Sequence, residues 1–600
     1  MSRPAGTPGS VKSAVPSIRS PRLAPHGPIA YKCLAHDTLE IDQVVAVGSL
    51  PSGSLIAQPT ADRPPDAKRL GLDYKWQVLL CTVIGTFMTM LDSTIVNIAL
   101  PKMAAIFAVS LSDVQLVVTS YMLSLAVIIP ATGYLSDTLG VKRLYLLTMA
   151  LFTGGSLLCG LAWSNDSMIV FRIIQGLGGG MMGPLGMTML YRAVPLKERN
   201  SVMGLYGVPL ILAPVLGPTL GGYIVEYLDW RIIFTLNVPL GIIGILLGSA
   251  LLRESEIIRN LTFDWKGFVL SAIGFSTLLL GLSDGTSDGW TSTKVEALIA
   301  TGVISLIAWV WVELSVPQPL VELRLFASST FSIAMAVTFV LTIGLFGSQL
   351  LVPVFLQSYR GLGAAEAGLI TMAQALAILP MMPLAGRLTD RFGARPLLLI
   401  GLPLVALSNW QFTTVDLSTS DWTLRSMLAF RGVTLGLVMM PSMTTAMNAA
   451  PAHLLSRASS LTNVSRQVFG SFGAAIFVTL LQSRMRFHQA VLTQGATPDN
   501  FAIAQMFAQA QQWVASQGGS GADGQRLAML ALYKQLMMTV AVEAFQDVYR
   551  VVAALTLFAV VPALLLRSVR RARPKDDQSS DPTPSPPDVN TLHLSHAMGE

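Results

Sequence analysis

The chain is predicted to be an all-α integral membrane protein with fourteen transmembrane helices. Two six-helix bundles are related by an internal repeat, and two extra helices lie between them. Composition, a series of apolar stretches and a recurring pair of motifs lead to this expectation. The 600 residues are 52% hydrophobic and only 12% charged, with a mean hydropathy of +0.58. A soluble protein carries about 25% charged residues, so much of this surface is expected to face a lipid bilayer. The net charge of +6 is read first as a topology signal, and no nucleic-acid partner is expected.

Residues 1–74 are rich in Pro, Ser and Ala and lack the compact apolar core of a signal peptide. They are expected to form a disordered cytoplasmic tail. A spanning helix needs about 20 mostly apolar residues. Such stretches lie near 76–98, 114–134, 143–163, 168–191, 200–224, 231–252, 265–283, 295–314, 331–353, 366–386, 397–415, 424–447, 457–480 and 547–567. The segment Arg526 to Phe545 is apolar but interrupted by Lys534, Gln535 and Glu543. It is expected to be a surface amphipathic helix or an extension of the last span. Short loops on one side hold about thirteen Lys/Arg and those on the other about five, which places both termini in the cytoplasm.

GYLSDTLGVKR (133–143) returns as GRLTDRFGAR (386–395), and RIIQGLGGGMMGP (172–184) as RGVTLGLVMMP (431–441). The two pairs are offset by 253 and 259 positions, which implies duplicated halves. The expected domains are 75–253 and 328–567, with two inserted linker helices in 262–316. A long outer loop is expected at 482–546 and a second disordered tail at 568–600. Internal repeats build many transporters, with the substrate cavity at the interface of the halves.

Asp92 is the most informative single residue. Trp76 to Leu91 before it contains no charge, and a carboxylate at the centre of a spanning helix costs about 2.5–3.5 kcal/mol on insertion scales. At 1.5 Å per residue, Asp92 lies roughly 24 Å along the first helix, close to the depth expected of Arg172 on the fourth. An adjacent arginine lowers the proton affinity of an acid and burial raises it. The pair is therefore a candidate for proton coupling or for binding a substrate cation. Two plainer readings stand beside it: Asp92 bonding its own helix, or a fixed ion pair joining two helices.

Polar residues at span depth supply cavity candidates: Asn97, Gln175, Gln349, Gln374, Asn463, Arg466 and Gln467. Asn97 and Gln175 also suit hydrogen bonding between packed helices, and Arg466 suits bonding to carbonyls and amides that fixes the bundle. No acid comparable to Asp92 is evident in the spans of the C-terminal half. Gly133, Asp137, Gly140, Lys142 and Arg143 form a loop at one span end. Asp137 is expected against the positive N-terminus of the thirteenth helix, near Ser456 to Ser460. Gly386, Asp390, Arg391 and Gly393 are the weaker second-half equivalents. The fifth helix carries Gly207, Pro214, Gly217, Pro218, Gly221 and Gly222, which permit close helix approach and local bends.

The three cysteines, Cys33, Cys81 and Cys159, have no ligand spacing and form no disulfide framework. There is no phosphate-binding loop of the G-x-x-x-x-G-K-[ST] type, so ATP is not expected to drive the protein. GLGGGMMG lies within a membrane helix, outside the strand–turn–helix setting of a dinucleotide site. No metal cluster or nucleophile triad is evident, and the chain is not expected to be an enzyme.

These motifs resemble those of the major facilitator superfamily, and of its fourteen-helix drug/proton antiporters of the EmrB/QacA type. GYLSDTLGVKR resembles the loop signature between helices 2 and 3. LDSTIVNIALP (91–101) resembles the helix 1 motif, RIIQGLGGG that of helix 4, and LAPVLGPTLGG (212–222) the antiporter motif of helix 5. DWRIIFTLNVPLG (229–241) and LTNVSRQVFGSFG (461–473) are similar to the family as well. The resemblance covers about 76–567 and departs mildly at Ala213, where many relatives carry Gly. It implies a secondary exporter of amphipathic, drug-like small molecules, driven by the proton gradient without a bound cofactor. The loop at Asp137 would latch the two bundles, and the fifth helix would be a proton-tight seam. The 482–546 segment resembles the periplasmic loop of EmrB-like exporters. That implies an inner-membrane location with a membrane-fusion adaptor and an outer-membrane channel as partners. A permease for a defined metabolite and a non-transporting sensor or scaffold are the alternatives. The helix 1 acid and helix 5 favour an exporter over a permease, and paired gating motifs argue against a scaffold.

Overall fold

The computed structural model describes residues 71–495, 501–516 and 521–566. The expected tails lie outside these residues, apart from 71–74. Within them, fourteen helices are long and apolar enough to cross a membrane. The N-terminal six are α1 (Tyr74–Phe107), α2 (Leu111–Ile128), α3 (Val141–Gly160), α4 (Asn165–Ala193), α5 (Arg199–Tyr227) and α6 (Ile232–Leu251). The inserted pair is α7 (Trp265–Ser287) and α8 (Thr293–Ser315). The last six are α9 (Ser329–Tyr359), α10 (Ala364–Phe392), α11 (Ala394–Thr414), α12 (Asp421–Asn448), α13 (Leu455–Gly495) and α14 (Gly521–Phe558).

Local chemistry sets several boundaries. Ser110 and Asp113 form a reciprocal capping box that starts α2, satisfying amide donors otherwise orphaned at a helix start. Ser164 and Ser167 do the same for α4. After α2 the chain breaks into a short helix, Thr132–Leu139, that ends at Gly140. Gly140 has φ +86° and its repeat equivalent Gly393 has φ +85°. Both turns need a backbone conformation that only glycine adopts cheaply. α1 continues through Pro101 to Phe107, beyond the expected end near 98.

The halves meet along α5 and α10, and α13 packs on α4 and on the short helix. α7 pairs with α8 and also leans on α2 and α13, so the inserted pair seals one side of the seam between the halves. Residues 482–546, expected as a loop, are largely helical. α13 runs on to Gly495, Phe501–Ser516 is a separate helix, and Gly521–Phe558 is continuous. Of the two readings of Arg526 to Phe545, the extension of the last span is the one seen.

Candidate functional site

Asp92 lies at the meeting point of four helices of the N-terminal half. Its carboxylate is 0% exposed. Arg172 Nη1 of α4 donates to Oδ2 at 2.6 Å, and Gln175 Nε2, one turn further, donates to Oδ1 at 2.9 Å. Asn237 Nδ2 of α6 reaches Oδ1 at 3.3 Å and also bonds Ser156 Oγ of α3 at 3.1 Å. Arg172 is itself fully buried. Its Nε donates to the Val117 carbonyl of α2 at 3.3 Å, and Nη1 also reaches Gln175 Oε1 at 2.7 Å. The guanidinium lies 4.1 Å from the Tyr121 ring centroid and 5.6 Å from that of Phe234.

An ion pair this deep survives only if further donors and acceptors replace the lost water, and Gln175 and Asn237 do this for the acid. Asp92 does not bond its own helix here. The bonding places Gln175 in this network rather than on a cavity wall, which corrects its reading as a cavity residue. Neither Asn237 nor Ser156 was singled out by sequence. Ser156 lies in an ordinary apolar span, and the segment DWRIIFTLNVPLG that holds Asn237 does not mark the face it presents. Arg172→Lys is expected to lower transport about tenfold or more, because a lysine cannot bond Asp92 and Val117 at once while stacking on Tyr121. Initial-rate transport normalised to protein in the membrane checks this.

The repeat aligns Arg431 of α12 with Arg172, yet no acid meets it among the described residues. Arg431 donates to Ser348 Oγ of α9 and, at 3.3 Å, to Tyr549 Oη of α14. Its guanidinium faces the Phe412 and Tyr549 rings at 5.7 and 5.9 Å. The C-terminal half therefore holds a carboxylate-free copy of the same centre.

On the other side of α1 lies a cleft of about 290 Å³. Asn97, Gln115, Thr119, Ser283, Gln467 and Ser471 supply its polar lining, and Met122, Leu123, Leu279 and Leu280 much of its apolar wall. These come from α1, α2, α7 and α13. No charged side chain lines this cleft. Of the expected cavity residues, Asn97 and Gln467 are here. Gln349 is exposed and Gln374 half-buried, and neither lines the cleft. Arg466 donates to Asn463 Oδ1 at 3.0 Å, and Asn463 Nδ2 to the Ser459 carbonyl at 2.9 Å. Both bonds lie within α13 and join it to no other helix.

At the other end of the bundle the halves are clasped. Asp137, on the short helix, is 4% exposed. It lies 3.7 Å from Arg192 of α4 and 3.9 Å from Arg457 of α13. Arg192 donates to Ser456 Oγ at 3.0 Å, and Ser459 Oγ to the Pro184 carbonyl at 2.9 Å. A Cβ on Gly133 would lie 3.2 Å from the Arg457 backbone, so a larger residue would press on α13. The expected encounter of Asp137 with the start of α13 is present, with two arginines that sequence did not assign to it.

Asp390 is not the weaker partner. It accepts from Asn200 Nδ2 at 2.8 Å, Ser201 N at 3.0 Å and Ser201 Oγ at 2.6 Å, capping the start of α5 across the seam. A Cβ on Gly386 would collide with the Asn200 carbonyl. Lys142 and Arg143 do not cross between halves. Lys142 Nζ bonds the Ser249 carbonyl at 2.8 Å, and Arg143 pairs with Glu254 at 3.4 Å, both at the end of α6. Of the three charged residues of this loop, Asp137 reaches the other half, and Lys142 and Arg143 brace their own. Arg391 is exposed beside Phe392.

In α5, a Cβ on Gly221 would lie 2.9 Å from Ile95 Cγ1, and one on Gly217 would collide with Thr94. These glycines seat α5 against α1 beside Asp92. Gly207 instead faces Met382 and Met440 of the other half, and Gly222 faces open space. Pro214 is half-buried, and the side chain of Pro218 lies outside the described residues. Overpacking a close contact costs about 1–3 kcal/mol, so Gly217→Leu is expected to displace α1 and reduce transport about tenfold. A transport assay on protein confirmed to reach the membrane checks it.

Fourteen candidate spans among the described residues mark a multi-pass integral membrane protein. The chain belongs to the Major Facilitator Superfamily, whose family profile matches residues 82–474. It is 32% identical over 514 residues to the uncharacterized MFS-type transporter YhcA of Bacillus subtilis, covering 84% of this chain and 96% of that one. It is 32% identical over 427 residues to the putative multidrug resistance protein MdtD of Serratia proteamaculans, covering 71% and 89%. It is also 32% identical over 419 residues to a multidrug resistance protein B homolog of Mycobacterium tuberculosis, covering 68% and 77%. Among solved structures, the proton:xylose symporter XylE matches with a TM-score of 0.54 at 12% identity, covering 82% and 96%. The human organic anion transporter MFSD10 matches with 0.52 at 12% identity, covering 82% and 99%. These two likenesses concern the fold.

Proposed function

We propose that the chain is a proton-coupled antiporter that exports amphipathic, drug-like small molecules across the cytoplasmic membrane by alternating access. The observation that supports this most strongly is the Asp92 centre. It is an acid with no solvent exposure, held by donors from α4 and α6, on the same helix as a neutral cleft that begins at Asn97. Protonation of Asp92 would release Arg172, Gln175 and Asn237 and free α1 to shift. Any shift of α1 carries Asn97 with it and changes the cleft wall. Proton and substrate thus compete through one helix without sharing a site. The names of the multidrug-resistance relatives agree with this reading.

In this proposal the Asp137 end faces the cytoplasm, with both termini on that side, and the cleft opens outward. The energy source is the proton gradient, with no bound cofactor. The cleft suits a molecule with an apolar body and an uncharged hydrogen-bonding head. α13, with 41 residues, is roughly 60 Å long, about twice the hydrocarbon core of a bilayer. Its extension and the helices that follow expose Phe487, Val491, Trp513, Leu530 and Tyr533. That surface is the proposed dock for a periplasmic membrane-fusion adaptor leading to an outer-membrane channel. Efflux of ethidium and of a neutral amphiphile from cells expressing the chain tests the transport reading. A protonophore is expected to abolish efflux with ATP intact, and efflux that survives it would refute the coupling.

A further inference from the structure

The inserted pair holds buried acids that the Asp92 mechanism does not use. Glu313, near the end of α8, is 1% exposed. It accepts from Trp309 Nε1 at 2.9 Å and from the Val321 amide at 3.2 Å. Asp264, 8% exposed, caps α7 by accepting from the Gly267 amide at 2.9 Å through Oδ1. Its Oδ2 is buried with no hydrogen-bond partner. That oxygen and Glu313 crowd the same spot: a Cβ on Gly267 would collide with Asp264 Oδ2 and lie 3.1 Å from Glu313 Oε1. The two carboxylates therefore face one another across a glycine that leaves space for nothing larger than hydrogen.

Two carboxylates buried side by side cannot both ionise cheaply. The surroundings add two more acids and three arginines. Glu322, 8% exposed and with no hydrogen bond to Oε1, lies 3.5 Å from Arg457 Nη1 and 4.0 Å from Arg324. Arg457 lies in turn 3.9 Å from Asp137, which Arg192 approaches at 3.7 Å. Asp137 and Glu322 thus share Arg457, with Arg192 and the half-exposed Arg324 beside them, and among the described residues no arginine pairs with Asp264 or Glu313.

We propose that Asp264 and Glu313 form a shared proton site in the inserted helices, and that its occupancy sets the strength of the Asp137–Arg457 clasp. This rests on the reading of the Asp137 end as a gate. Closing the gate gathers the acids out of water, so the closed state binds the shared proton more tightly than the open one. By linkage, acid favours closure and alkali favours opening. The two inserted helices would then act as a pH-dependent arm of the gate, separate from Asp92.

The test uses spin labels at Leu139→Cys and His453→Cys, two exposed positions flanking the clasp. Cys33→Ser removes the tail thiol, and Cys81 and Cys159 are buried. Asp92→Asn in the same background removes the coupling acid from the titration. Distance distributions are recorded in reconstituted full-length protein from pH 5.5 to 8.5. The closed population is expected to fall about threefold or more across that range. Glu313→Gln and Asp264→Asn, neutral isosteres that mimic the protonated pair, are expected to flatten the profile to the part that Asp137 alone contributes. Asp264→Asn retains an oxygen for the Gly267 amide, so it serves if Glu313→Gln fails to fold. A flat parent profile, or variants that titrate like the parent, overturns the proton site. If Arg457→Ala leaves the distances unchanged, the gate reading fails and takes the proposal with it.

Discussion

Asp92→Asn is expected to abolish concentrative export while leaving the protein folded and in the membrane. The amide keeps the shape of the carboxylate and still accepts through one oxygen from Arg172 or Gln175. It cannot release or bind a proton in the working range. Uphill movement should therefore fall to the level of vesicles lacking the protein, and downhill exchange of the same probe should persist. Asp92→Ala is a harsher change. Arg172 would be left buried without its counter-ion, a loss of about 3–5 kcal/mol, and a lower melting temperature is expected as well. The asparagine variant separates coupling from stability, and the alanine variant does not. Concentrative uptake by everted vesicles, read beside tracer exchange, checks both. Asp92→Asn vesicles that still concentrate the probe would remove the acid from the mechanism.

The second large effect is expected at the clasp. Arg457→Ala leaves Asp137 and Glu322 with fewer cationic partners in a buried setting. Losing that shared partner costs about 1–3 kcal/mol in all, enough to shift the gate toward opening by about five- to a hundredfold. A cysteine at Ser459, which is 0% exposed behind the clasp, reports this. With Arg457 present it should resist a membrane-impermeant maleimide, and with Arg457→Ala it should react. Burial pushes the Asp137 carboxyl up, against the pull of Arg192, Arg457 and the Ser456 hydroxyl. The sign follows from linkage. The closed gate holds the Asp137 proton more tightly than an open, hydrated one. Its contribution to closure is present at acid pH and is lost as pH rises through the closed-state value. Maleimide reactivity at Ser459→Cys should therefore increase with pH once the intrinsic thiol ionisation is divided out.

Much of this arrangement was legible in the sequence. Hydropathy located fourteen spans because lipid requires every one of them to be long and apolar. The depth argument paired Asp92 with Arg172 because helix rise is constant, and the repeat placed Asp390 and Arg431 opposite Asp137 and Arg172. Rotation about each helix axis was not legible. α4 is buried over most of its surface, so no apolar stripe shows that Gln175 faces Asp92. Asn237 and Ser156 were missed for the same reason.

Charges near span ends misled in two directions. Lys142 and Arg143 carried a gating motif but brace α3 against α6. Glu313 fell inside a predicted span, close enough to its end to pass as an interfacial charge. It is in fact buried against Asp264, so Asp92 is not the sole buried acid within the spans. Lys534 and Glu543 interrupted a stretch that nevertheless continues as α14, because helix formation there does not depend on lying in lipid.

The central claim is that proton movement through Asp92 drives substrate movement the other way. The most direct measurement uses proteoliposomes with an imposed pH gradient and no other energy source. Ethidium and a neutral amphiphile serve as probes. At least one probe is expected to accumulate on the acidic side, to reverse direction when the gradient is reversed, and to stop doing both in Asp92→Asn. Movement of both probes that ignores the gradient, or that follows it equally well without the carboxylate, would contradict the account.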